Sequence, residues 1–355
     1  MMVEFINKDL DHHILKAIKL LFGANKTNQI HYQINSKGFT DSTVISVQPF
    51  SNFENPQKYI IKIGDRNNTK LLNEEEKFRK HVETTDSSYS IEVQKTEKCF
   101  AIRYHYATSD SEIESKSFGG ILRSSKNDYP ISKRKSYIKK LFKTPTYKRW
   151  DSTELDDINI NYKNYRDFIN FDAIKNHLNK IYDSSDVDQL EVVDIFKKAK
   201  KIKLEGNTQI CHGDLHTENF FIDENENAYL IDFGDVGRHH NIIDYAMLET
   251  SIKLNHTPNY IPNDKLYKLE KELLNDNTFN SNYSFKSTQR QDLVNVYSLI
   301  TTIRELAADK INNPNEYFYS LFMLTFRQIR YDDLNQLYAI EISEQIGRKL
   351  LKELC

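Results

Sequence analysis

The sequence predicts an α+β chain in two parts, a small mixed β-sheet with an inserted helix followed by a larger, mainly helical part. Short β-branched and aromatic runs crowd residues 1–106, whereas helical periodicity dominates after residue 165. Only 10 Gly and 7 Pro are spread over 355 residues, which favours long continuous elements over a loop-rich scaffold. In order, residues 11–23 space Ile14, Ala17, Ile18, Leu20, Leu21 and Phe22 as a helix does. Gln29–Ile34, Thr43–Val47 and Lys58–Ile63 read as strands, residues 70–82 as a helix, and Tyr89–Val93 and Cys99–Tyr106 as two further strands. Residues 107–355 form the second domain. It contains helices near 165–183 and 187–203, a strand–turn–strand centre at 209–232, and helices at 288–308 and 314–330.

Composition excludes several classes. With 49 Lys+Arg against 51 Asp+Glu the net charge is −2, so this is no uniformly basic nucleic-acid coat. A hydrophobic share of 39% builds a core and excludes a disordered chain. Cys99, Cys211 and Cys355 are too few and too scattered for a disulfide framework or a cysteine-rich zinc site. The N-terminus carries Glu4, Asp9 and Asp11 before a short apolar run, unlike a signal peptide, and no stretch reaches membrane-spanning length. A cytoplasmic setting with no membrane partner is expected.

The chemistry concentrates in residues 210–245, ICHGDLHTENFFIDENENAYLIDFGDVGRHHNIIDY. Phe220–Ile222 and Ala228–Ile231 flank a polar turn and make a β-hairpin. Asn219 precedes its first strand and Asp232 follows its second, so the hairpin should bring the two together near Asp214. An amide oxygen and a carboxylate suit Mg²⁺, which takes few protein ligands and completes its shell with water and phosphate. Asp214 is then left to orient and deprotonate a hydroxyl nucleophile, the division of labour expected of phosphoryl transfer.

His-Gly-Asp-Leu-His-x-x-Asn at 212–219 followed by Ile-Asp-Phe-Gly at 231–234 resembles the aminoglycoside phosphotransferase/choline kinase family. Asp214, Asn219 and Asp232 reproduce that fold's intervals of five and thirteen residues. The resemblance implies a protein kinase-like, two-lobed fold, with a catalytic loop at 211–219 and a metal-binding Asp-Phe-Gly at 232–234. It implies ATP or GTP and Mg²⁺ as cofactors and a small-molecule hydroxyl as acceptor. His212 would then brace the catalytic loop. His216 would either approach the metal and phosphates or be structural, and Asp244 would anchor the loop from the next helix. In the first lobe the resemblance puts Ile60 against adenine and Lys62 on the phosphates, since alternation places both on one strand face. The partner of Lys62 is sought among Glu74, Glu75 and Glu76, with Glu75 favoured. Gly38 and Ser42 lie in a short turn resembling the family's phosphate-covering loop, and Ile102–Tyr106, centred on Tyr104, forms the hinge. No His-Arg-Asp or Ala-Pro-Glu is present, which argues against a conventional protein kinase.

Residues 123–149 carry ten basic side chains against Asp128 alone. They form either a solvated helix face docked through Ile138, Leu141 and Phe142, or a surface for an anionic partner. Such a surface beside the acceptor would repel a polycation, so a classical aminoglycoside is not expected as substrate. The alternative to an active small-molecule kinase is a catalytically silent nucleotide-sensing or interaction module, or a kinase acting on a protein or RNA.

Overall fold

The computed structural model describes the chain except residues 1–3, 6–9, 23–28, 38–41, 51–58, 84–88, 106–114, 184–185, 259, 281–284, 286–289 and 333. The class is α+β, as expected, with a small mixed sheet first and helices after it. The chain divides into two compact units, Met1–Lys116 with Ile222–Val236, and Ser117–Phe221 with Gly237–Cys355.

In the first unit, β1 (Glu4–Phe5), β2 (Gln29–Lys37), β3 (Thr43–Phe50), β4 (Tyr59–Asp65), β5 (Ile91–Lys95) and β6 (Cys99–His105) form one sheet. Its order is β1-β2-β3-β4-β6-β5, parallel only between β1 and β2. Helix α1 (His12–Leu21) starts at Asp11, whose carboxylate accepts from the His13 amide. It lays Ala17, Ile18 and Leu21 on Ile45, Val47, Ile61, Ile63 and Ala101. Because side chains alternate across a strand, this packing sends Lys62, with its cross-strand neighbours Val44 and Ile102, to the opposite face. Helix α2 (Thr69–Phe78) begins at Asn68, whose side chain accepts from the Lys70 and Leu71 amides at 3.1 Å each. The helix crosses the end of β4 closely. A Cβ on Gly64 would lie 2.8 Å from Asn68 Nδ2 and 2.9 Å from Leu71 Cδ1, so a side chain there would have to displace the ends of both side chains.

Residues 222–236 group with the sheet rather than with the helices that flank them in the chain. Aromatic packing is the reason. The Phe233 ring lies edge-on to Phe78 at 5.3 Å and to Tyr89 at 5.5 Å. Lys77 donates to the Gly234 carbonyl at 2.8 Å, and the Leu230 amide donates to the Tyr89 hydroxyl at 2.8 Å.

The second unit holds an antiparallel sheet in which Leu204–Cys211 lies between Asp156–Ile160 and Gly237–His240. The expected helices run Phe171–Tyr182, Glu191–Ala199, Gln291–Ala307 and Pro314–Gln328. The helix Ile243–His256 is buried at every residue from Ile243 to Leu254, so it shows no one-sided apolar stripe in sequence. The basic segment folds as two helices, Ile131–Leu141 and Pro145–Asp151, which bury Tyr137, Ile138, Leu141, Tyr147 and Trp150. Phe142 stacks on Tyr245 at 4.1 Å. Some of the charge is used inside the fold, since Arg134 donates to the Leu122 and Ser124 carbonyls and Lys139 meets Glu305 at 3.5 Å. Among the described residues no helix is long and apolar enough to cross a membrane.

Candidate active site

The expected site residues fall into two groups, one in each unit. In the first unit Lys62 is buried on β4, and its ammonium bridges two carboxylates, Glu74 Oε1 at 2.7 Å and Asp232 Oδ1 at 2.8 Å. Burial alone would lower the Lys62 pKa, but the charges of Asp232 and Glu74 outweigh it and hold the ammonium above the ordinary lysine range. Asp232 has φ 63° and ψ 71°, the left-handed region, which Asp tolerates better than most side chains and in which its carboxylate meets Lys62. Tyr104 pairs across the sheet with Ile60, and its hydroxyl donates to Glu74 Oε1. Ile60 and Lys62 thus share one strand face, and Tyr104 lies on the same face of the sheet. Ser42 is buried two residues before Val44, the cross-strand neighbour of Lys62, and Gly38 lies outside the described residues.

The expected partner Glu75 is corrected to Glu74. Glu75 instead pairs with Arg79 one turn on, at 3.0 Å. Counting back from Phe78 by four and forward from Leu71 by three both reach Glu74, and all three are buried. Counting back seven from Val82 reaches Glu75, but that count fails because residues 79–83 form a π-helical turn. Such a turn inserts about one extra residue and moves Val82 off the α-helical register.

In the second unit the loop that carries the 212–219 motif hangs from Asp244. The Asp244 carboxylate accepts from the His212 amide at 2.8 Å, the Gly213 amide at 2.9 Å and the Tyr147 hydroxyl at 2.9 Å. Gly213 adopts φ 80°, a conformation that glycine takes without strain. The Asp214 amide donates to His212 Nδ1 at 3.3 Å, so the buried His212 shapes the loop. The Asp214 carbonyl accepts from the His216 amide at 3.0 Å and from Asn219 Nδ2 at 2.9 Å. Asn219 therefore spends its nitrogen inside the loop and keeps Oδ1 as its acceptor face. His216 Nε2 lies 3.8 Å from Asp214 Oδ2, and its Nδ1 accepts from the Glu218 amide at 3.2 Å.

Sequence reasoning missed two supports of this loop. Arg327, from the helix Pro314–Gln328, places Nη2 3.4 Å from Asp214 Oδ1. Thr217, within the motif, bonds His256 Nε2 at 2.9 Å and Ser251 Oγ at 3.1 Å. No local pattern marks either contact, because the partners lie 113, 39 and 34 residues away. Burial, aided by the charge of Arg123, depresses the His256 pKa to about 4 against the pull of Glu218. A depressed folded-state value means that the neutral imidazole's contribution is complete above pH 6.5 and is lost as pH falls through 4. Urea unfolding at pH 7.5 and 4.5 should show the wild type losing about 2–3 kcal/mol more than His256→Gln. Equal losses in the two proteins would remove His256 as the source.

A family model described as Ternary complex associated domain 9 matches residues 183–330, less than half of the chain. No curated protein matches. By fold the chain is similar to an amicoumacin kinase solved with AMP-PNP and Ca²⁺, at 13% identity and a TM-score of 0.49, covering 97% of this chain and 94% of that one. It is similar to choline kinase from Streptococcus pneumoniae at 13% identity and TM-score 0.41, covering 96% and 99%. An aminoglycoside phosphotransferase mutant in ternary complex with ADP and hygromycin B gives 8% and 0.47, covering 89% and 93%. These are kinases of the kind that the 212–219 motif resembles. At such identities and TM-scores they add no weight to the residue-level reading.

Proposed function

We propose that this chain is an ATP- or GTP-dependent phosphotransferase that moves the γ-phosphate to a hydroxyl of a small molecule other than a classical aminoglycoside, working in the cytoplasm. The observation that carries this reading is the Lys62–Glu74–Asp232 ion trio, in which a buried cation is held by one helix carboxylate and by the Asp of Asp-Phe-Gly. A lysine so fixed presents a positive charge to nucleotide phosphates without paying ordering entropy at the moment of binding. Asn219 and Asp232 supply hard oxygen donors that suit Mg²⁺, and the ion, when bound, would neutralise charge on the phosphates. Asp214 would take the acceptor's proton as the hydroxyl oxygen bonds to the γ-phosphorus and the bond to the β-phosphate oxygen breaks.

Calorimetric titration of ATP, with and without Mg²⁺, tests this. Micromolar Mg²⁺-dependent binding is expected, and its loss in Asp232→Ala. Glu74→Gln should weaken binding by about 10–100-fold, the worth of a charge-assisted hydrogen bond, and Glu75→Gln should leave it unchanged. A protein that binds neither ATP nor GTP would overturn the reading.

A further inference from the structure

We propose that the acceptor carries an anionic group one or two carbons from the carbon that bears its reactive hydroxyl, as in a 2- or 3-hydroxy acid, and that Arg327 selects it. The inference rests on the phosphotransferase reading and names the substrate class of that same site. Asp214, the group expected to meet the hydroxyl, has a guanidinium beside one oxygen and an imidazole beside the other. Arg327 Nη2 lies 3.4 Å from Oδ1 and His216 Nε2 3.8 Å from Oδ2. The Arg327 side chain is only 13% exposed. Its guanidinium carbon sits 5.8 Å from the Phe168 ring centroid, and Phe168 itself packs against His239 at 5.4 Å. The cation is therefore positioned by helix and aromatic platform as well as by Asp214, whose 3.4 Å contact is at the long end of a hydrogen bond. An ammonium-bearing acceptor would be brought up against this fixed positive charge. A carboxylate matches its fork, with N···O near 2.7–2.9 Å, and would draw the guanidinium off Asp214.

Distance narrows the class. The acceptor hydroxyl must come within about 2.6–3.2 Å of the Asp214 carboxylate while its anion reaches Arg327. With the two side chains 3.4 Å apart, a hydroxyl and an anion on adjacent or next-adjacent carbons of one small molecule can reach both, which makes short hydroxy acids the class to test first. A sugar phosphate with a vicinal hydroxyl has the same chemistry and forms a second arm of the test.

The full chain is assayed for acceptor-stimulated ADP release with three- to six-carbon 2- and 3-hydroxy acids, their methyl esters, hydroxyl-bearing sugar phosphates and aminoalcohols. We expect at least one acid or phosphate to be a substrate, and the acid to exceed its ester in kcat/KM by about 10–100-fold. In Arg327→Met that preference should collapse towards one, chiefly through KM for the acid, with Arg327→Lys retaining part of it. A stronger response to phosphates than to acids would move the anion from carboxylate to phosphate within the same proposal. Preference for an aminoalcohol, equal use of acid and ester, or equal damage to both by Arg327→Met would overturn it. ATP binding is measured on the same sample. Mg²⁺-dependent binding without turnover of any anionic acceptor defeats this inference alone, whereas no nucleotide binding defeats the phosphotransferase reading as well.

Discussion

Asp214→Ala should lower kcat by about 10²–10⁴-fold, the usual worth of a general base, while ATP affinity stays within about twofold. The loop's own bonding lets truncation report on chemistry. Asp244 holds the His212 and Gly213 amides, and Asn219 Nδ2 binds the Asp214 carbonyl, so none of these attachments uses the Asp214 carboxylate. What the variant removes is the carboxylate proposed as the base, together with its contacts to Arg327 and His216. Steady-state kinetics and calorimetry on one preparation separate the two quantities. Equal loss of turnover and of nucleotide affinity would mean that Asp214 supports the nucleotide site, and its role as base would fall.

The largest stability effect is expected at Glu249→Ala, a loss of about 3–5 kcal/mol from a total of the order of 5–15 kcal/mol. Glu249 is fully buried and accepts from Arg304 at 2.6 and 2.8 Å, from Lys253 at 2.9 Å and from the Tyr317 hydroxyl at 2.9 Å. Burial would raise its pKa, but Arg304 and Lys253 hold the carboxyl down at about 2. Without Glu249, two buried cations share one remaining carboxylate, Glu270, which lies 2.8 Å from Lys253. The double variant Glu249→Met with Arg304→Met should recover part of the loss, because it removes one charge of each sign and leaves Lys253–Glu270 paired. Urea unfolding measures both proteins. A single-variant loss below about 1 kcal/mol, or a double variant no better than the single, would contradict this account.

Much of the site was legible in the chain. The intervals Asp214–Asn219–Asp232 are covalent facts, and the hairpin between the last two follows from two short apolar runs around a polar turn. Asp244 lies where the resemblance puts the loop's anchor, in the first turn of the next helix, whereas the left-handed turn at Gly213 shows only in the structure. The choice of Glu74 over Glu75 was nearly legible. It turned on whether α-helical periodicity runs on to Val82, and a π-helical turn, which no hydrophobic pattern announces, breaks it. Residues 222–236 lie among helices in chain order, but the packing of Phe233 against Phe78 and Tyr89 draws them to the sheet.

Period-two and period-3.6 patterns, turn chemistry and motif spacing act over a few residues, and for that reason strands, helices and hairpin could all be read from the amino-acid order. Partner choice obeys no such local rule. Arg327 reaches Asp214 across 113 residues, and His256 reaches Thr217 across 39. Tyr104 closes on Glu74 because one face of the sheet is already covered by α1. Each of these contacts depends on which distant surfaces exclude water together, a property of the packed chain that no short window of sequence contains.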